Sequence, residues 1–183
     1  MNLQTIDPKR FRSVMGAFPT GVAIVATVWE GELFGATINS LTSVSLTPCM
    51  LLFCTNEGSA TGAAIRKRGL FSVSILGHHQ SELSARFTGK QKDRFENLAV
   101  AYSADDLPLL EGAAAQLCCR VTTIHKAGDH DIILGEVISG SEIACNPLVF
   151  HRGAYGSFNA LNLNSRSKMS SFAHRIQRPS DTH

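Results

Sequence analysis

Apolar and polar positions in this chain recur at short range, and the elements they predict are short. Residues 22–29 run Val22, Ala23, Ile24, Val25, Ala26, Thr27, Val28, Trp29, an apolar and β-branched stretch that predicts a strand. Glu30, Gly31 and Glu32 turn the chain. Residues 33–39 return as a hairpin partner, with Gly35 allowing a bulge or the close approach of a ligand. In residues 43–47, Val44 and Leu46 alternate with Ser43, Ser45 and Thr47, the period of a strand with one buried face. Strands follow at residues 50–54 and 71–76. A long strand is predicted over residues 115–125, and residues 132–143 pair back on it with Gly135 bending them. A short strand covers residues 148–151.

Helical spacing appears three times. Asp7 caps and Pro8 takes the first helical position. Phe11, Val14, Met15 and Phe18 then form one apolar face that predicts core packing, and Pro19 ends the helix. Ser59 caps a helix over residues 60–68, whose basic end, Arg66, Lys67 and Arg68, suits a solvated last turn. Residues 81–87 put Leu83 and Phe87 on one face. Residues 88–97 are polar and charged, which predicts a mobile loop. Past Phe158 apolar periodicity stops. The expected division is one domain over residues 1–159 and a tail over residues 160–183 that is poorly ordered or docks on a partner. Closely spaced hairpins with a few flanking helices predict a mainly β protein, a small antiparallel barrel.

Composition narrows the function. The chain has 183 residues, 44% hydrophobic and 17% charged, enough for one globular domain with a core able to hold a cofactor. A net charge of +2 gives no argument for nucleic acid. The five cysteines show no metal-ligand spacing and read as reduced thiols acting as small apolar residues. His78 and His79 are adjacent but have no acidic or Cys partner at useful spacing, so they read as surface loop residues. No metal site is expected. The N-terminus lacks the features of a signal peptide, and no apolar run approaches the ~20 residues of a membrane span. A cytoplasmic protein is the default.

Chemistry concentrates in residues 35–48. Six of the eleven residues from Thr37 to Thr47 are Ser or Thr, and Asn39 adds an amide. A buried row of hydroxyls needs partners. A flat polar ligand with a phosphate tail supplies them; a strand with a solvated polar face needs none. Ser59 likewise reads either as a plain cap or as the start of a phosphate site at a helix N-terminus.

Three motifs together carry a resemblance. Phe18-Pro19-Thr20-Gly21-Val22, the Ser/Thr-rich stretch from Gly35 to Pro48, and Gly128-Asp129-His130-Asp131 followed by Gly135-Glu136-Val137 resemble the short-chain flavin reductase family. These are reductase components of two-component flavin monooxygenases, built on an FMN-binding split barrel of antiparallel Greek-key type. The resemblance spans about residues 11 to 156. It implies hydride transfer from NADH or NADPH to FMN or FAD, a homodimer, and a partner monooxygenase fed with reduced flavin. It places Ala36, Thr37, Asn39 and Ser40 against the flavin ring and Ser43, Asn56 and Ser59 at its ribityl and phosphate end. Phe87 either borders the flavin or packs in the core, and Tyr155 either caps the far side of the site or packs at the surface; in the family the region of residues 88–97 can lie over the flavin. His130 stands beside the nicotinamide. Pro48-Cys49 replaces the family's usual Pro-Pro, and Thr47 stands where Ser or Asp is common. A flavoprotein of the same fold that retains its flavin is the alternative. A pyridoxamine-phosphate-oxidase relative would need a basic phosphate cluster that the sequence does not show.

Overall fold

A computed structural model describes residues 5–89 and 93–161. In chain order the elements are α1 (Pro8–Met15), β1 (Thr20–Gly21), β2 (Ala23–Trp29), β3 (Glu32–Ile38), β4 (Thr42–Leu46), β5 (Cys49–Asn56), α2 (Ala60–Arg68), β6 (Leu70–Ile75), α3 (Ser81–Thr88), β7 (Val100–Tyr102), β8 (Pro108–Leu110), β9 (Ala115–Ala127), β10 (His130–Glu142), β11 (Leu148–His151) and β12 (Ala154–Ser157). The protein is mainly β with flanking helices. Four short strands, β1, β7, β8 and β12, carry too few residues to show a period and escape the sequence reading.

The main sheet has seven strands in the order β3-β2-β6-β9-β10-β5-β4, with every pairing antiparallel. Its first and last strands, β3 and β4, are consecutive in sequence. Three residues, Asn39 to Leu41, join them. Across a flat sheet six inter-strand spacings separate the edges by about 29 Å. Four residue steps reach at most about 14 Å. The sheet therefore curls until its edges approach, and β3 comes into contact with β5. Ser40 fastens this seam: its hydroxyl accepts from the Cys54 N–H at 2.9 Å and lies 3.3 Å from the Cys54 carbonyl.

The interior of the curl is apolar. Phe53 and Phe71 meet edge-on at 5.3 Å among Val25, Val73, Ile133 and Ile65. Ile65 comes from α2, which packs on β2, β3 and β6. A second cluster, with Ile24, Leu76, Phe87, Leu110 and Leu148, lies on the outer face of β2. With both faces covered, β2 needs apolar residues throughout, which explains its unbroken run.

Several sequence expectations are corrected. Val44 and Leu46 are 45% and 82% exposed, because β4 is an edge strand whose outward row covers nothing in a single chain. The apolar face of α1 is also outside the core; Phe11, Val14, Met15 and Phe18 are all exposed. Asp7 caps α1 as expected, accepting from the Lys9 and Arg10 amides, but the helix stops at Met15, before Pro19. Residues 93–97 are tied down: Phe95 stacks edge-on with Phe87 at 4.9 Å, Arg86 donates to the Asp93 and Glu96 carbonyls, and Arg94 donates to the Gly35 and Gly89 carbonyls. The basic end of α2 is exposed, as expected, and its side chains also find partners. Arg66 pairs with Asp131, Lys67 lies over the Trp29 ring and Arg68 donates to the Asp105 carbonyl. Of the tail, residues 162–183 lie outside the described residues.

Gly35 makes room for aromatic rings, not for a ligand. A Cβ there would stand 2.6 Å from Phe87 Cε1 and 2.9 Å from Phe95 Cζ. Gly35→Ala is therefore expected to overpack this corner and cost about 1–3 kcal/mol. Urea denaturation checks it, and an unchanged midpoint would show that the rings yield freely. The thiols give a second check. Burial, then the neighbouring Cys118, pushes Cys119 up to about 12, while Cys49 is exposed. A maleimide at neutral pH should label Cys49 quickly and Cys119 only on unfolding.

Candidate active site

The seam gathers most of the predicted residues by local necessity. Ile38 points into the core, so strand alternation turns Thr37 outward, where its hydroxyl donates to the Ser84 carbonyl of α3 at 2.7 Å. That hydroxyl is occupied, so at Ala36 and Thr37 the backbone is the part left to meet a ligand. Asn39 and Ser40 leave the end of β3 and face a cleft of about 1100 Å³. Phe11 and Met15 of α1, with Phe18 just beyond it, wall it on one side, and Phe150 and Arg152 are also in its lining. Arg12 and Arg152 bring two cations to it, and the hydroxyl of Thr20 on its wall is buried without a partner among the described residues. Sequence reasoning missed α1, Thr20, Phe150 and Arg152. Two signals were available: the apolar face of α1, which was assigned to the core, and the Phe18–Val22 motif, which contains Thr20.

A second group sits further along the seam. Cys54, held by Ser40, is two residues before Asn56, about 7 Å along the strand. Asn56 is the cross-strand partner of His130. The Asn56 carbonyl accepts from the Ser59 amide, and the Ser59 side chain caps α2 by accepting from the Gly62 N–H at 3.2 Å. Asn56, Ser59 and His130 thus share one corner. Ser43 does not join them. Its partner on β5 is Leu51, five residues before Asn56 and about 17 Å away along the strand. Within a single chain this register sets Ser43 apart from Asn56 and Ser59. Phe87 is only 1% exposed and packs among core residues, so its ring does not border the cleft. Tyr155 stands at the surface, 2.8 Å from the Ser84 hydroxyl and stacked obliquely on Phe150.

His130 is half-exposed, and its Nδ1 lies 2.7 Å from Asp129 Oδ1. A carboxylate only accepts, so Nδ1 carries the proton and Nε2 is left for a ligand. In the neutral ring Nε2 accepts, for example from a carboxamide N–H; in the cation it donates. The hydrogen bond from His130, then the Asp129 backbone amide and the charge of His130, hold the Asp129 carboxyl below the usual carboxylate range. Among the described residues no three His, Cys, Asp or Glu side chains gather as metal ligands. No helix among them is long and apolar enough to cross a membrane.

The lining of the cleft fits a flavin, with an amide at Asn39, aromatic walls and two arginines for an anionic tail; Ala36 and Thr37 lie on the edge strand just before it and do not line it. Comparison with known proteins defines the class. Residues 15–159 match the flavin reductase like domain, and the chain belongs to that family. It is 39% identical over 153 residues to a flavin-dependent monooxygenase reductase subunit of Rhodococcus jostii, covering 83% of this chain and 78% of that protein. It is 38% identical over 154 residues to an FMN reductase (NADH) of Agrobacterium fabrum, covering 84% and 87%. An NADH:FAD oxidoreductase of Streptomyces globisporus, solved with NAD and FAD fragments, superposes with a TM-score of 0.81 at 32% identity, covering 88% of this chain and 99% of that one. The fold is thus that of the flavin reductase split barrels.

His130→Ala should return the Asp129 carboxyl toward its ordinary value. Carboxylate 13C shifts followed through a pH titration measure this; an unmoved Asp129 would mean that the bond does not form in solution.

Proposed function

We propose that this protein is an NADH-dependent flavin reductase that reduces FMN or FAD and releases the product to a partner monooxygenase. The carrying observation is the continuity of the seam: Asn39 and Ser40 on the cleft, Ser40 bonded to Cys54, and Cys54 two residues from the Asn56–His130 pair. The names of the relatives support NADH as donor. A reductase component of a tryptophan halogenase is also among its structural neighbours, so the consumer of reduced flavin differs between relatives.

When bound, the flavin ring supplies the redox chemistry, accepting a hydride from a reduced nicotinamide. The chain itself binds and aligns. Backbone at Ala36 and Thr37 and the amide of Asn39 meet the ring. Arg12 and Arg152 attract the anionic part of the nucleotide. His130, set by Asp129, offers Nε2 to the carboxamide of the nicotinamide. No proton has to move from a side chain for a hydride to pass, which accounts for a site without a carboxylate pair or an activated nucleophile. Alignment of two rings in this manner contributes up to roughly 7–11 kcal/mol in favourable systems.

The exposed row of α1 together with Val44 and Leu46 of β4 supports a homodimer in which a second copy covers these faces. The reading also takes the protein to be cytoplasmic.

The test is NADH oxidation with added free FMN or FAD, at each flavin and with NADPH for comparison. Multiple turnovers in flavin support the proposal. A single turnover with tightly retained flavin would establish the electron-transfer alternative. His130→Ala should raise the nicotinamide Michaelis constant about tenfold, the worth of one hydrogen bond of about 1.4 kcal/mol, with the flavin constant little changed. Equal kinetics would remove His130 from the site.

A further inference from the structure

Among the described residues Asp131 is the one buried carboxylate, at 9% exposure, and it follows His130 directly. Alternation along β10 sends the two side chains to opposite faces. His130 faces outward beside Asn56; Asp131 turns toward α2 beside its own cross-strand partner, Thr55. Arg66 reaches across from α2 and places Nη2 2.7 Å from Asp131 Oδ2. The same helix face meets Thr55. Gly62, four residues before Arg66, lies so close that a Cβ there would stand 2.8 Å from Thr55 Cγ2. One face of α2 is therefore seated on the Thr55–Asp131 pair, and the next pair along the ladder is Asn56–His130.

We infer that the Arg66–Asp131 ion pair is a positioning device for the nicotinamide histidine. It locks the start of β10 to α2 and so fixes the height and direction of His130 over the seam. The inference rests on the reading of His130 given above. Its physical basis is that a half-exposed side chain at a strand end has little packing of its own to hold it. His130 is such a residue, and its bond to Asp129 is solvent-facing, with Asp129 95% exposed. The buried anchor lies one residue further on. The Asp131 side chain is 12% exposed and that of Arg66 52%, so the carboxylate is the enclosed partner and the guanidinium covers it from the solvent side.

The test is a double-mutant cycle between Asp131→Asn and His130→Ala in the full-length protein, with NADH and FMN as probes. Asp131→Asn keeps the size and the acceptor oxygen but removes the charge. It is expected to raise the nicotinamide Michaelis constant severalfold in the wild type while the flavin constant stays within about twofold. In the His130→Ala background it is expected to raise neither, because the residue it positions is gone. A purely structural role predicts equal effects in both backgrounds, and that result would overturn the inference. An unchanged nicotinamide constant for Asp131→Asn, with His130→Ala impaired, would overturn it and leave the assignment of His130 standing. A normal constant for His130→Ala would overturn both. If Asp131→Asn folds poorly, Arg66→Gln carries the same comparison from the exposed partner, since it removes the cation that Asp131 binds.

Discussion

The three residues between β3 and β4 constrain everything else. They join opposite edges of a seven-stranded sheet, and a chain that short cannot cross a flat one. Curling brings the edges together without giving them a common ladder. The closure leaves a seam, and at the seam backbone groups and side chains must find other partners. Ser40 serves one of them by standing in for a missing strand neighbour at Cys54. What remains open along the seam is a line of small polar groups between two edges. A planar, polar ring is the kind of ligand that such a line accommodates. The site is thus a consequence of incomplete closure, not an ornament added to a closed barrel.

The hydroxyls near this seam divide by what they already do. Thr37 is bound to the Ser84 carbonyl, Ser40 to Cys54 and Ser59 to the start of α2. Each removes flexibility from a segment that would otherwise have loose backbone. A hydroxyl spent in this way orients its own main chain, and that main chain becomes the recognition surface. The same holds one layer out, where the Ser84 hydroxyl meets Tyr155 and couples α3 to β12. Polar richness in the sequence therefore marks the region correctly but overstates the number of side chains free to touch a ligand.

The sequence made β2, β3, β5, β6, β9 and β10 legible because each is an apolar run or an apolar alternation bounded by turn residues. It also made the α2 cap and the hairpin before His130 legible. It misled where burial depends on more than one chain or on distant packing. The pattern of α1 and β4 is that of buried elements, yet both lie on the surface of the monomer. Gly35 looked like a place for a ligand and is a socket for Phe87 and Phe95, partners about fifty and sixty residues away. The exposure of Arg66 was legible, but its pairing with Asp131, sixty-five residues distant, was not. Register was likewise invisible: only the pairing of Ser43 with Leu51 separates it from Asn56. The motif containing His130 survived because its meaning is local, a turn, a strand start and an adjacent carboxylate.

The two apolar surfaces that the single chain leaves bare bear on how the site works. Phe11, Met15 and Phe18 wall the cleft, and Val44 and Leu46 continue the bare surface on β4, directly after the seam. A cleft of about 1100 Å³ is wide for one small ligand, whose pockets run to about 1,000 Å³ at most. Its far wall is a helix with no buried residue of its own. Such a wall is held in place weakly by the chain that carries it, and a covering copy would both fix it and narrow the cleft. Dimer formation and ligand affinity would then be linked by mass action, because whatever binds the assembled form favours assembly. A flavin that has to leave after each reduction is well served by a site whose tightness comes from that shared wall and not from deep enclosure within one barrel.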